Sequence, residues 1–336
     1  METPLKIRTH SYRLSPKTAP NAKSTVAERE GRLLKVWWTP SLIGYGDLFP
    51  WPEFGDPSLM DLLSQLAEGD FSHPLVFKSL WRSRVDALAR RRGRSLFEAL
   101  LPVESHGLLP SGEETRALPF FRQQGFRVFK IKMPAATQGN PERLIFSLRE
   151  AGALLQPGEK LRLDFNGALS FEEFQKFSRE IPASVWERVD LMEDPWERRD
   201  LQSDLQKNSS FSREFPLPSF LQNKLAGDFF SDAHWPHQVI KTARAFAPEK
   251  RHLSHRVVQT HSMDHPLGQA FALWEASLYE RTYPHRKEIH GVSRPSLYAS
   301  TDFDWAWEGA GPRPRPPRGT GIGFDEILSS LRWENL

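Results

Sequence analysis

Lys132, Asp164, Glu193 and Lys241 fall at spacings that suit one reaction centre. Each lies at the end of a short apolar run that reads as a strand, in VFKIKM, LRLDFN, DLMEDP and HQVIKTA. Side chains alternate across a strand, so residue parity sorts its two faces. Phe129, Ile131, Leu161, Leu163, Phe165, Met192 and Ile240 take one face, while Lys130, Lys132, Arg162, Asp164, Asn166, Glu193 and Lys241 take the other. Two carboxylates on adjacent strands offer hard oxygen ligands to one Mg²⁺. Such an ion acts as a Lewis acid on a substrate carboxylate. Removing a proton from the carbon beside that carboxylate builds an enediolate, whose extra charge a cation and a lysine stabilise more than the ground state. A lysine takes that proton only when neutral. Two ammonium groups on one strand face repel and lower the pKa of at least one. Lys132, nearer the strand's C-terminal end, is therefore expected to be the acid/base, with Lys130 tuning and orienting it. Lys241 is expected to be a second base or a fixed positive charge.

The elements that must position these groups follow from spacing. Asp164 follows Lys132 by 32 residues, Glu193 follows by a further 29 and Lys241 by a further 48. One βα unit needs roughly 25 to 30 residues, so the last interval spans two units. The four residues then sit on strands two, three, four and six. Strand runs at 107–110, 127–133, 160–166, 189–194, 215–219, 238–242, 256–261 and 288–292 alternate with helical segments at 113–124, 141–155, 170–181 and 267–279. That alternation implies a parallel sheet, and eight strands suit a closed TIM-like (β/α)7β barrel with its site at the C-terminal strand ends. Residues 1–100 read as an α+β capping domain to which the C-terminal tail contributes, and 101–336 as the catalytic barrel.

Composition suits a soluble globular protein and excludes other classes. The chain has 336 residues, 39% hydrophobic and 26% charged, with a net charge of +3. That balance is too small to imply nucleic acid as partner. The run ARRRGR at 89–94 is read as a solvated helix end, and GPRPRPPRGTG at 311–321 as a surface connector. With no cysteine there are no disulfides, thiolate metal sites or cysteine nucleophiles. No long apolar run marks a leader or a membrane span, so a cytoplasmic location is expected. The expected partner is a small-molecule carboxylate.

KIK, LRLDFN, MEDP and VIKTA, in this order, resemble the enolase superfamily in its muconate-lactonizing subgroup. GYGDLFP resembles the Gly-rich specificity loop of that family's capping domain, and THSMDHPLG resembles its strand-seven stretch. Within the subgroup the chain is most similar to the o-succinylbenzoate synthase family. The resemblance implies a Mg²⁺-dependent syn dehydration of a succinyl-hydroxycyclohexadiene carboxylate in menaquinone biosynthesis. It makes Lys132 the acid/base and Lys241 the stabiliser of the enediolate. Asp164 and Glu193 become metal ligands, with Arg162, Asn166 and Ser262 as candidate substrate contacts. The family's third ligand is an aspartate ending strand five. Here Ser219 in FPLPSF takes that slot, 22 residues before Lys241, and Asp228 and Asp232 are expected to lie too far along. Weaker metal binding is the expectation. Asp264 stands where the family often has Glu, and His261 is expected to offer at most backbone contacts. Two other activities remain open: an N-acylamino acid racemase or related epimerase, and a degenerate barrel that binds without turnover.

Overall fold

Pro40 and Ser41 turn the second strand of an antiparallel meander back into the third. The computed structural model describes residues 2–17, 28–110, 112–133, 141–196, 225–228, 237–247, 256–293, 298–307 and 311–336. The meander comprises β1 (Lys6–Leu14), β2 (Arg29–Thr39) and β3 (Leu42–Leu48). A short C-terminal strand, β13 (Glu334–Asn335), adds to the free edge of β1. Helices α1 (Leu59–Glu68) and α2 (Pro74–Arg91) cover one face of this sheet. Ser58 and Asp61 start α1 with a reciprocal capping box, and Gly69 ends it in the left-handed conformation.

GYGDLFP is mostly strand, not a loop over the site. A Cβ on Gly44 would stand 1.9 Å from the Ser83 carbonyl oxygen, and one on Gly46 would stand 2.6 Å from that of Ser79. These glycines let β3 lie directly on the α2 backbone. The run 89–94 ends α2, where Arg90 pairs with Asp86 at 2.7 Å and also binds Asp325. In the 311–321 connector, Pro312 and Gly321 bond back to Ser105 and Leu96.

The second layer is a parallel sheet of seven strands: β5 (Gly107–Leu109), β6 (Val128–Lys132), β7 (Lys160–Asp164), β8 (Val189–Glu193), β9 (Leu225–Asp228), β10 (His237–Lys241) and β11 (Arg256–Thr260). They stand in sequence order. An eighth strand, β12 (Ile289–His290), pairs in parallel with β4 (Glu104–Ser105). Thr260 bridges Gly291 on one side, and the His106 N–H donates to the His290 carbonyl on the other, so both edges meet at β12 and the barrel closes.

Parity behaves as the sequence requires. Phe129, Ile131, Leu161, Leu163, Phe165 and Met192 form one core with Leu118 of α3 (Glu114–Gln123), Leu148 of α4 (Pro141–Leu154) and Phe174 and Phe177 of α5 (Phe171–Glu180). Burying each such side chain contributes roughly 1.5–3 kcal/mol. The long helix after β11 (Pro266–Thr282) is buried on nearly every side, because it lies between the barrel and residues of the meander such as Leu33 and Tyr45.

Position five of the sheet differs from expectation. Ser219 and the run 215–219 lie outside the described residues. The strand hydrogen-bonded between β8 and β10 is Leu225–Asp228. Its LAGD sequence has two apolar residues and a glycine, too little for an apolar-run search to detect. Asp228, expected to lie too far along, is the last residue of that strand.

Candidate active site

Strand register brings the charged residues together. Lys132 is the Cα partner of Asp164, Asp164 of Glu193, and Glu193 of Ala226. Asp228 lies two residues beyond Ala226 on its strand, in register with Val239. Lys241 pairs with Thr260 at the end of β10. Lys132, Asp164, Lys241 and Thr260 line a cavity of about 790 Å³ at the C-terminal strand ends.

Asp164 and Glu193 converge on one point. Lys130 Nζ stands 2.7 Å from Asp164 Oδ2 and 2.7 Å from Glu193 Oε2. Lys241 Nζ reaches the other Glu193 oxygen, Oε1, at 2.5 Å. Lys130, Asp164 and Glu193 are buried and Lys241 is partly exposed, so these charges are weakly screened and depend on one another. Burial alone would raise the Glu193 carboxyl, but the Lys130 and Lys241 ammoniums override it and hold the group far below the usual carboxylate range.

Lys132 occupies the cavity wall, half-buried, with its Nζ 2.8 Å from the Met263 sulfur. Its pKa is lowered to about 7. Burial is the largest cause; Asp164 opposes it, and Lys130 and Lys241 add to it. Repulsion within the KxK doublet is therefore real but secondary to desolvation.

An ammonium held between two carboxylates marks a point where a cation is stabilised from two adjacent strands. A hard divalent ion fits that donor set, with Asp164 and Glu193 as oxygen ligands. Among the residues whose side chains are described, which do not include Asp228, no third His, Asp or Glu joins them to complete a metal cluster.

Asn166 lines the cavity with φ at 51°, and its backbone N–H donates to Asp164 Oδ1 at 3.2 Å. Its Nδ2 is buried with no acceptor among the described residues, which suits a donor awaiting substrate. Ser262 also lines the cavity, but its Oγ accepts from Arg244 at 3.2 Å and its carbonyl from Trp51 Nε1 at 2.8 Å. Arg162 faces inward as parity requires, yet it is not in the cavity wall. It is enclosed with Arg256 by Asp190 and Glu288, with Arg162 Nε donating to Asp190 Oδ2 at 2.8 Å. With Nη1 also donating to the Ile289 carbonyl and the side chain 2% exposed, Arg162 is committed to these partners and not to substrate.

Sequence reasoning missed two contributors and gave a third, His261, backbone contacts at most. Trp51–Asp56, just after β3, forms the cap's part of the wall, and Asp56 pairs with Arg244 across the cavity. Arg244 follows Lys241 by three residues in a turn, a spacing that placed it beside the lysine. Burial lowers the His261 pKa to about 3; its bond to the Ser293 carbonyl is the main opposing influence, and Lys132, Lys241 and Lys130 add smaller downward pushes.

Comparison with known proteins adds to this geometry. A family model described as O-succinylbenzoate synthase, N-terminal domain, matches residues 7–89. An o-succinylbenzoate synthase of Bdellovibrio bacteriovorus is 28% identical over 340 residues, covering 99% of each chain. Among solved structures, a muconate lactonizing enzyme from Mycobacterium smegmatis complexed with muconolactone matches with TM-score 0.74 and 15% identity, over 98% of this chain and 100% of that one. A dipeptide epimerase from Methylococcus capsulatus, complexed with Mg and a dipeptide, matches with TM-score 0.71 and 16% identity, over 96% and 99%.

Proposed function

We propose that the chain is a member of the enolase superfamily and an o-succinylbenzoate synthase, a hydro-lyase acting on 2-succinyl-6-hydroxy-2,4-cyclohexadiene-1-carboxylate (SHCHC). The observation that carries this reading is geometric. Lys132 and Lys241 face one cavity from different strands, and the Asp164–Glu193 pair converges beside them. The full-length similarity to a Bdellovibrio o-succinylbenzoate synthase supports the choice of substrate. On this reading the reaction serves menaquinone biosynthesis.

Asp164, Glu193 and, at the end of the fifth strand, Asp228 would hold the Mg²⁺. When bound, the ion supplies Lewis-acid stabilisation to the substrate's ring carboxylate. Asp228 replaces Ser219 as the third ligand, since a carboxylate at that strand end meets the chemical need a serine hydroxyl does not.

The neutral Lys132 amine takes the ring α-proton as that C–H bond breaks, and the electron pair enters the carboxylate to give an enediolate. Lys241, an ammonium, faces the added charge. The electrons then return to the ring as the C–O bond to the 6-hydroxyl breaks. Lys132 gives its acquired proton to that hydroxyl, which leaves as water, and the ring becomes aromatic. One residue thus serves both halves of a syn elimination, and Lys132 ends as it began. Lys130 balances the Asp164 and Glu193 charges, and Asn166 offers its unpaired amide to substrate.

The same two lysines would also suit a two-base epimerase, the activity named for several of the structural neighbours. SHCHC consumption followed by ultraviolet absorbance, with Mg²⁺ titrated into chelator-treated protein, tests the proposal. Saturable, metal-dependent turnover is expected, and Asp228→Asn should weaken Mg²⁺ binding by calorimetry at least about tenfold. A folded protein that leaves SHCHC intact at saturating Mg²⁺, while epimerising an N-acylamino acid or dipeptide, contradicts it.

A further inference from the structure

Lys132 is held by more than its own strand. Its Nζ meets the Met263 sulfur at 2.8 Å, and Met263 is not an ordinary flexible filler. Its φ is +53°, in the left-handed region that non-glycine residues seldom occupy. Hydrogen bonds fix that backbone from both sides. The Met263 N–H donates to His261 Nδ1 at 2.9 Å, and its carbonyl accepts from the Tyr298 hydroxyl at 3.0 Å. Because His261 Nδ1 is an acceptor, its proton sits on Nε2 and faces the Ser293 carbonyl at 3.1 Å. The Met263 side chain packs against a cluster of Leu14, Phe49, Trp51 and Tyr298, three of them from the capping layer. A backbone held in a disfavoured conformation beside a reacting group points to function.

We propose that Met263 is a positioning residue for Lys132, its thioether orienting the amine toward substrate without placing a charge beside it. The inference rests on the reading of Lys132 as the proton-transferring group. A neutral amine has two N–H bonds and one lone pair. Holding one N–H on sulfur limits the directions the lone pair can take. After proton uptake the sulfur is still only a weak, uncharged acceptor. A carboxylate in its place would bind the ammonium strongly and resist the second proton transfer to the departing hydroxyl. The capping layer thereby acts on the reaction through Met263, beyond enclosing the cavity.

Wild type, Met263→Leu and Met263→Gln would be compared on SHCHC and on SHCHC deuterated at the α-carbon, with saturating Mg²⁺. Leucine keeps the shape and removes the acceptor, and glutamine restores an uncharged one. For Met263→Leu, kcat should fall about tenfold with KM changed by less than about twofold. The deuterium effect on kcat should rise, and Met263→Gln should recover most of the loss. Wild-type kcat and isotope effect in Met263→Leu overturn the inference, as does an equal loss in both variants, which would mean that shape alone matters. A wild type without turnover removes the o-succinylbenzoate synthase reading and this inference with it.

Discussion

Lys78 links the capping layer to the barrel through a buried charge, and its stability contribution has a calculable pH dependence. Its Nζ is 2.7 Å from Glu275 Oε2 and 3.4 Å from the Phe246 ring centroid, and the side chain is 1% exposed. Arg82, also from α2, binds the second Glu275 oxygen at 2.9 Å and donates to Thr242, the neighbour of Lys241. Burial lowers the Lys78 pKa to about 8; Glu275 opposes the fall, and Arg82 deepens it. The folded chain therefore holds this proton less tightly than the unfolded chain. Between pH 8 and the ordinary lysine value of 10.5 the unfolded state binds more protons, so stability rises with pH. At 1.36 kcal/mol per pH unit the total is about 3 kcal/mol. Lys78→Met removes this dependence, while Arg82 still pairs with Glu275. Urea unfolding of both proteins at pH 7.5, 8.5, 9.5 and 10.5 should show wild type gaining about 3 kcal/mol relative to the variant. A difference that stays flat across that range refutes the reasoning.

Asp264 carries the opposite kind of shift. Burial raises its pKa to about 6, with Arg82 the largest opposing influence, so stability falls as pH rises from the ordinary aspartate value of 3.8 to about 6 and stays lowered above that. Asp264→Asn should raise the unfolding free energy at pH 8 by about 1–3 kcal/mol and leave it little changed at pH 4, measured in urea. Arg162→Met leaves Asp190 and Glu288 with Arg256 as their remaining cation. It should cost about 3–5 kcal/mol of stability, read by denaturant midpoint, with KM for SHCHC unchanged because Arg162 does not reach the cavity. Gly44→Ala should destabilise by more than about 1 kcal/mol, since a Cβ there meets the α2 backbone.

The parts of this fold legible in the sequence are those governed by local rules. Strand parity placed Lys130, Lys132, Asp164, Glu193 and Lys241 inward, because a period of two needs no knowledge of the rest of the chain. Their spacing in βα units put them on particular strands. What was not legible depended on closure of the barrel or on weak local signal. LAGD lacks the apolar run that marks a strand, so the fifth strand was sought at 215–219 and Asp228 was set aside. Arg162 shares the inward face of Asp164, yet its partners Asp190, Glu288 and Arg256 arrive from three other segments, and only their convergence turns it from a substrate contact into part of the barrel's interior. The glycines of GYGDLFP resembled a Gly-rich specificity loop, whereas their purpose is close approach to the α2 backbone, where Gly44 meets Ser83 and Gly46 meets Ser79. The contact between Met263 and Lys132 has no sequence signal at all, because it requires the capping cluster to be in place.

The account stands most directly on Lys132. Stopped SHCHC assays of wild type and Lys132→Ala, at saturating Mg²⁺ and with folding verified by circular dichroism, isolate its role. The variant is expected to lose at least about 10³-fold in kcat, the scale of a missing acid/base group, while Mg²⁺ affinity measured by calorimetry is retained. A variant within about tenfold of wild type would contradict it, because proton transfer would then belong to another residue.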